Sequence, residues 1–391
     1  MDTKKIVRST AVLSAVFIII MAIGCAKEIT GPGTTAGARY VGAEVCRLCH
    51  STAYNDEMMT AHFNTMVDAP DDPFDFISIW EEDGSPEFCL RCHTTGWDES
   101  LDNGGADEPG RLKLMSGVKC EVCHGPGSEH VEGGGDVTKI EVRYESELCG
   151  SCHNGAHHPT YDEWEESDHA IALEDLLDSG HAGDHCLECH SADYYYDRTI
   201  TVETAVYSIE CVRCHDAHGS NEEHQLILPA EEMCASCHNA GGAQVGSTPH
   251  HTSLEMLVGY GAYEWAGEDY PNSPHKDLIE ERCVRCHMYT EEYEDEENPA
   301  IAGHSFEPEL YVCQACHAGA TDFNINGSQT DIENLLAQLD AELEAGDEED
   351  QWYAEALFNY YFVTNDGGSR GAHNYKYAKA LLEDAIFYYE P

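Results

Sequence analysis

Cysteine and histidine are the residues of this chain whose types and spacing point most directly to chemistry. The sequence contains nine copies of the unit Cys-x-x-Cys-His. The units are Cys46/Cys49/His50, Cys89/Cys92/His93, Cys120/Cys123/His124, Cys149/Cys152/His153, Cys186/Cys189/His190, Cys211/Cys214/His215, Cys234/Cys237/His238, Cys283/Cys286/His287 and Cys313/Cys316/His317. A Cys-x-x-Cys pair alone fits a zinc half-site, a redox dithiol or a disulfide framework. The histidine after every pair indicates instead the attachment sequence of c-type haem.

The spacing of the unit fits that chemistry. Cysteines three positions apart lie on one face of a helical turn, so both thiols reach vinyl groups on one edge of a porphyrin. The next residue then projects its imidazole to the iron as the proximal ligand. We therefore predict nine covalent haems c, each held by the two cysteines and the histidine of one unit.

Composition excludes two broad classes of protein. The chain has 391 residues and a formal net charge of −54, from 74 acidic and 20 basic residues. A surface this acidic repels phosphate backbones, so no nucleic-acid partner is expected. The 19 cysteines exclude an ordinary cytosolic enzyme, in which thiols are sparse and kept reduced.

The units also predict the architecture. A Cys-x-x-Cys-His unit recurs every few tens of residues from 41 to 328, and this spacing leaves no room for an ordinary apolar core between haems. Strand-like alternation is scarce, so we expect a mainly α protein with much irregular structure, little or no β-sheet and haems forming the core. Residues 329–391 carry apolar residues at helical spacing, with further helices predicted at 352–362 and 375–389, packed on the last haems.

The acidic runs 291–297 and 347–350 are interpreted as solvated faces, with Ca²⁺ binding as the alternative.

Fourteen histidines lie outside the units, and nine distal ligands are needed if every iron has two imidazoles. Bis-histidine ligation is favoured because methionines are few. His62 and His169 each follow a tyrosine by eight residues, and His130, His218 and His304 also have local sequence support. His181, His251 and His275 complete the assignment. In the adjacent pairs His157/His158 and His250/His251, at most one member is expected to ligate. For the histidines of these pairs, and for His181 and His275, the alternative is an exposed or propionate-bonded imidazole.

Several stretches resemble the multihaem cytochromes c related to four-haem and eight-haem cytochromes of nitrogen metabolism and to ammonia-forming nitrite reductase. They are the Gly-Pro-Gly-x-x-His run ending at His130, Tyr161-x-x-Trp164-x-x-Ser167-x-His169, Cys89-Leu-Arg-Cys-His-Thr-Thr-Gly96, Cys283-Val-Arg-Cys-His-Met288 with Gly303-His304-Ser305-Phe306, and Gly371-Ala372-His373-Asn374. The resemblance implies distal-ligand roles for His62, His130, His169, His304 and His373. It also implies long C-terminal helices that mediate dimers, and hence a homo-oligomer.

The N-terminus predicts export. Residues 1–24 combine Lys4, Lys5 and Arg8 with an apolar run, as in a secretory signal. The run ends at Cys25 in a sequence that resembles a lipoprotein box, and residues 25–40 resemble a flexible tether. We predict lipidation of Cys25 and anchoring to the outer membrane, on its periplasmic or cell-surface face. Ordinary signal cleavage, with Cys25 incidental, is the alternative.

Three functions fit these features. The first is an electron carrier of respiratory or extracellular electron transfer, with no catalytic residues. The second is an oxidoreductase of small nitrogen or sulfur compounds with one open haem. The third is a subunit of a conductive filament. We favour the carrier, because none of the units ends in Lys, as the catalytic haem unit of related nitrite reductases does. Basic cytochromes or an extracellular mineral would suit the acidic surface as redox partners, and a saline habitat would also account for it.

Overall fold

The computed structural model describes residues 37–66, 87–97, 102–108, 110–295 and 297–389. The predicted leader, Cys25 and most of the predicted tether lie outside these residues. In chain order the helices are α1 (Ala43–Cys46), α2 (Ser51–Glu57), α3 (Glu87–His93), α4 (Leu112–Met115), α5 (Cys120–His124), α6 (Ser128–Glu132), α7 (Glu147–Gly150), α8 (Thr160–Glu165), α9 (Asp168–Asp178), α10 (Leu187–His190), α11 (Ala192–Tyr196), α12 (Cys211–Cys214), α13 (Ala230–Ala235), α14 (Ser253–Val258), α15 (His275–Leu278), α16 (Arg282–His287), α17 (Leu310–Gln314), α18 (Ser328–Ala345), α19 (Tyr353–Thr364) and α20 (Tyr375–Tyr388).

The prediction of a mainly α protein with little or no β-sheet is confirmed for the described residues. Short 3₁₀ turns connect some helices, at Val137–Lys139, Asp184–Cys186, Glu223–Gln225 and Ile325–Gly327. Extended pairing in the described chain is limited to isolated bridges, such as Thr94 with Ser116 and Glu291 with Ile301. None of the helices in this part of the chain has both the length and the apolar character needed to cross a bilayer.

The helices that carry the Cys-x-x-Cys-His units are mostly one to two turns long. In several units the histidine N–H donates to the carbonyl of the first cysteine, at 2.9 Å in His50, 3.0 Å in His238 and 2.8 Å in His317. This hydrogen bond closes a single α-turn and places both thiols on one side of it. A one-turn helix is marginal in water by itself, so these turns depend on the contacts around them.

The largest apolar core among the described residues lies in the C-terminal segment. Helices α18, α19 and α20 pack together through fully buried side chains such as Leu339, Phe362 and Leu381. Met256 and Trp265, from the stretch between the seventh and eighth units, belong to the same core. The helices predicted at 352–362 and 375–389 are α19 and α20, and Trp352 has a left-handed backbone (φ 70°) where the chain enters α19.

Polar side chains attach this C-terminal segment to the haem-unit region. The Asn359 carboxamide accepts from the Tyr263 N–H and donates to its carbonyl, both at 2.8 Å. The Thr252 hydroxyl donates to the Phe362 carbonyl at 2.7 Å, and the Asn374 side chain accepts from the Ser273 N–H at 2.7 Å. The C-terminal helices are therefore fixed in register with residues 250–275.

A buried carboxylate fixes the other end of the described chain. Glu121 of α5 is only 2% exposed and accepts from the N–H groups of Val41, Gly42 and Gly127, at 2.7–2.9 Å. Burial raises the pKa of Glu121, and the three N–H donors oppose this. Gly42 has φ 95°, which favours glycine, at the point where the chain turns into α1. Glu121 thus holds the first unit against the third.

Candidate haem sites

The cysteines of the nine units are half-buried and unpaired. All eighteen that the structure describes are free thiols, and only Cys49 and Cys316 are exposed. These two belong to the first and the last unit. The absence of disulfides among these eighteen leaves every thiol available for a thioether bond.

The ring nitrogens of the unit histidines are oriented by backbone carbonyls. Nδ1 lies 2.6 Å from the Glu141 carbonyl in His124, 3.0 Å from Ala172 in His190, 2.8 Å from His224 in His215 and 2.8 Å from Phe306 in His287. Because a carbonyl only accepts, Nδ1 carries the proton and Nε2 keeps its lone pair. This is the tautomer that a metal ligand requires, and the carbonyl also fixes the plane of the ring.

A second imidazole faces most of these rings. Two imidazoles that share one iron, each with a metal–nitrogen bond of about 2 Å, place their ring centroids about 6 Å apart. Seven unit histidines have such a counterpart: His50–His130 at 6.2 Å, His153–His62 at 5.8 Å, His124–His218 at 6.0 Å, His238–His169 at 6.0 Å, His215–His304 at 6.1 Å, His287–His373 at 6.1 Å and His317–His275 at 6.3 Å. The residues present therefore fit iron held between two imidazoles.

The site at His190 offers two counterparts. His250 lies 6.4 Å away with its ring 19° from parallel, and His251 lies 5.9 Å away at 39°. Ligand nitrogens of the three residues all lie within 4.8 Å of one another. His251 is also 5.8 Å from His238, so it lies between two sites, whereas His250 faces His190.

The site at His93 is formed differently. Burial lowers the pKa of His93, and the charge of nearby His158 lowers it further. His158 also lies 6.3 Å from His153, which already faces His62. The neighbouring His157 packs instead on Tyr293, with ring centroids 3.7 Å apart. His158 is thus the member of this adjacent pair that points into the site region.

The structure brings eight of the nine histidines assigned from sequence as distal ligands close to a unit histidine. The exception is His181, which is exposed and whose Nδ1 lies 3.2 Å from the Ser179 carbonyl. Within the described residues His181 faces no unit histidine ring. Sequence reasoning did not select His158 and His250, although each belongs to an adjacent pair from which it expected at most one ligand.

The counterpart histidines are also oriented by hydrogen bonds. Nδ1 lies 2.9 Å from the Asp136 carbonyl in His130, 2.9 Å from Ala302 in His304 and 3.0 Å from Ala372 in His275. His373 differs, because its Nδ1 lies 2.6 Å from the carboxylate of Asp366, which is 1% exposed. Burial alone would lower the pKa of His373, but Asp366 outweighs it and raises the pKa.

Burial keeps other rings neutral. It lowers the pKa of His153 and of His169 to about 4, with neighbouring histidines adding to the effect. Both rings are therefore uncharged at neutral pH and can donate a lone pair. The loop of His304 is held by Glu163 of α8, whose carboxylate accepts from the N–H groups of Ala302 and His304 at 2.9 and 2.7 Å.

The acidic runs do not form a comparable cluster. In the part of the chain that the structure describes, the histidines at 190, 250 and 251 are the group of three metal-ligating side chains within bonding reach of one ion. Neither the run at 291–297 nor the run at 347–350 forms such a group among the described residues.

Comparison with known proteins agrees with this site chemistry. A family model for cytochrome c554 and c-prime matches residues 45–125, and a model for a doubled CXXCH motif matches residues 204–243. The multihaem cytochrome MtrA of Shewanella baltica is 29% identical over a 176-residue alignment that covers 38% of this chain and 51% of MtrA. The chain is a multihaem c-type cytochrome. The Cys-x-x-Cys-His motif of these matches is accordingly an attachment sequence for covalent haem c.

Further relatives of this cytochrome support the same conclusion. The c-type polyhaem cytochrome OmcB of Geobacter sulfurreducens is 23% identical over a 250-residue alignment that covers 61% of this chain and 26% of OmcB. The cytochrome thus spans about half the length of MtrA and about a quarter of OmcB. The predicted resemblance to nitrogen-metabolism cytochromes is not supported, because the relatives found are the multihaem cytochrome MtrA and the polyhaem cytochrome OmcB.

Two solved structures share the fold. The crystal structure of outer cell wall cytochrome OcwA aligns with a TM-score of 0.71 and 26% identity, covering 88% of this cytochrome and 99% of that chain. An undecahaem cytochrome from the S-layer of Carboxydothermus ferrireducens aligns with a TM-score of 0.66 and 23% identity, covering 91% and 70%. The latter similarity concerns the fold alone.

Proposed function

We propose that this cytochrome carries nine haems and conducts electrons along them outside the cytoplasm. The observation that carries the proposal is that the nine attachment units adjoin one another in one connected series. The units are numbered I to IX in chain order, from Cys46 to His317.

Direct thiol contacts link three pairs of units in the series. Cys46 of unit I hydrogen-bonds with Cys120 of unit III, a contact that lowers the pKa of Cys46 and raises that of Cys120. Cys149 of unit IV contacts Cys211 of unit VI in the same way. Cys234 of unit VII contacts Cys283 of unit VIII.

Electrostatic proximity joins these pairs to each other. Burial raises the pKa of Cys123 in unit III to about 11, and Cys152 of unit IV adds to the shift. Burial also raises the pKa of Cys214 in unit VI to about 11, with a contribution from Cys237 of unit VII. Burial and Cys313 of unit IX raise the pKa of Cys286 in unit VIII. These links support the order I–III–IV–VI–VII–VIII–IX.

Units II and V lie beside this series. Cys92 of unit II contacts Cys152 of unit IV, and Cys189 of unit V contacts Cys237 of unit VII. The two ends of the series, units I and IX, are those with an exposed thiol, Cys49 and Cys316. We infer that electrons enter and leave at these ends, and that units II and V are side branches.

We propose that each iron is closed by two histidines. The pairs are His50/His130, His93/His158, His124/His218, His153/His62, His190/His250, His215/His304, His238/His169, His287/His373 and His317/His275. When bound, each haem supplies a one-electron iron couple, and two imidazoles give it a low potential. Closed irons leave no position for a substrate, which favours a carrier over an enzyme.

The acidic surface and the relatives guide the choice of location and partner. Two structures with the same fold are named for the outer cell wall and the S-layer, and we propose a comparable place at the cell envelope, with lipidated Cys25 as the anchor. The formal charge of −54 favours a positively charged redox protein or mineral surface as the partner.

Intact mass and low-temperature EPR of the oxidised protein test the proposal. We expect the mass of nine haems and low-spin signals only. Fewer haems, or a stoichiometric high-spin ferric signal, would contradict it.

A pair of double variants then tests the path of the electrons. C211S/C214S, which removes unit VI, should slow electron transfer from a soluble reductant to a surface acceptor. C186S/C189S, which removes side unit V, should leave the rate near that of the wild type.

A further inference from the structure

Three units carry arginine at the same position, directly before the second cysteine. These residues are Arg91 in unit II, Arg213 in unit VI and Arg285 in unit VIII. Arg91 and Arg285 are exposed, as is usual for arginine, whereas Arg213 is only 6% exposed. The motif position is therefore the same, and the tertiary structure alone buries the guanidinium of Arg213.

The surroundings of Arg213 meet only part of the hydrogen-bonding capacity of its guanidinium. One terminal nitrogen donates to the Glu188 carbonyl at 3.2 Å and lies 3.8 Å from Sγ of Cys237. The guanidinium carbon lies 4.6 Å from the centre of the Tyr195 ring. Nε is buried without a hydrogen-bond partner. The nearby Glu188 carboxylate pairs with Arg198, at 2.9 Å.

A buried cation without a counter-charge is unfavourable by several kcal/mol. Among the residues that the structure describes, no carboxylate lies within salt-bridge distance of Arg213, although the chain has 74 acidic residues. The described part of the chain therefore supplies no anion for Arg213. Haem fits this requirement, because each macrocycle carries two propionates and Arg213 touches residues of units V and VII while belonging to unit VI.

We propose that the guanidinium of Arg213 binds a haem propionate where units V, VI and VII meet, and that its charge raises the reduction potentials there. A fixed cation favours the ferrous state, which carries one positive charge less than the ferric state. Arg213 thus sets the haem potentials where the main series meets its side branch at unit V. This inference rests on the proposed nine-haem function.

Spectroelectrochemical titration of three variants tests the inference. R213Q removes the charge and should lower the reduction potential of at most three of the nine haems. The expected shift is about 59 mV for one electron, which corresponds to about a tenfold change in the electron-transfer equilibrium constant. R213K, which keeps the charge, should titrate close to the wild type. R285Q, at the same motif position but exposed, should match the wild type. An unchanged titration of a fully loaded R213Q protein would overturn the inference.

Two controls separate the outcomes. Intact mass of the wild type tests the haem count, so a failure there concerns the proposed function and not Arg213. If R213Q loads haem incompletely, infrared difference spectra between reduced and oxidised protein replace it. Guanidinium bands that respond to reduction in the wild type and are missing in R213K support the inference, and their absence from the wild type contradicts it.

Discussion

The imidazole rings of His124 and His218 lie 6.0 Å apart, centroid to centroid, and are only 9° from parallel. His124 belongs to unit III, and His218 follows unit VI. Nδ1 of His124 is fixed by the Glu141 carbonyl. Three separate stretches of chain therefore fix the relative orientation of the two rings, and this orientation has consequences for the EPR spectrum.

The angle between facing rings predicts two classes of EPR signal. Nearly parallel ligand planes give a low-spin ferric haem a rhombic signal, and nearly perpendicular planes give a broad feature at high g. His124/His218, at 9°, should belong to the first class, and His317/His275, at 85°, to the second. Pairs near 68°, namely His153/His62 at 67° and His238/His169 at 69°, should join the second. A spectrum with one class only would contradict these geometries.

Removal of His218 should open one iron. We expect H218A to retain all haems, because the thioethers and His124 remain, and to gain one high-spin ferric equivalent in EPR. H181A is the matched control, because His181 is exposed and faces no unit histidine in the described residues. It should keep the wild-type spectrum. A high-spin signal in H181A, or none in H218A, would refute the proposed pairing.

The adjacent pair at unit V is tested by single substitutions. Because His250 faces His190 and His251 lies between two sites, we expect H250A to weaken low-spin ligation at one haem and H251A to leave it intact. The measurement is magnetic circular dichroism in the near infrared, which reports bis-histidine ligation. The reverse result would assign the iron to His251, as the sequence predicted.

The hydrogen bond from His373 to Asp366 should lower the potential of the haem at unit VIII. A carboxylate acceptor makes the imidazole more basic, and a more basic ligand favours ferric iron. D366N should therefore raise one potential in a redox titration. D136N is the control, because His130 bonds to the backbone carbonyl of Asp136 and not to its side chain. Equal shifts in both variants would argue against the ligand role of His373.

The C-terminal core should contribute strongly to stability. Leu381 is fully buried among α18, α19 and α20, so L381A should lower the free energy of unfolding by about 2–5 kcal/mol. F387A, on the same helix but 72% exposed, should change it by less than about 0.5 kcal/mol. Urea unfolding followed by far-ultraviolet circular dichroism measures both, and similar losses in the two variants would contradict the packing.

The C-terminal segment also shows where sequence reasoning was incomplete. Helical periodicity predicted α19 and α20 within two residues, because a buried stripe repeats at 3.6 residues in each helix. Periodicity carries no information on what the helices pack against. The structure shows that this segment presents His373 to unit VIII and the Ala372 carbonyl to His275, so it helps to build two sites.

Local chemistry explains what the sequence determined by itself. The predicted attachment thiols and proximal histidines lie within a single helical turn, so five consecutive residues define them, and scarce strand patterns predicted little or no β-sheet. The distal partners, the order of the units and the burial of Arg213 depend on residues far apart in the chain. Only tertiary packing decided these, because Arg91, Arg213 and Arg285 share one motif position and differ only in what surrounds them.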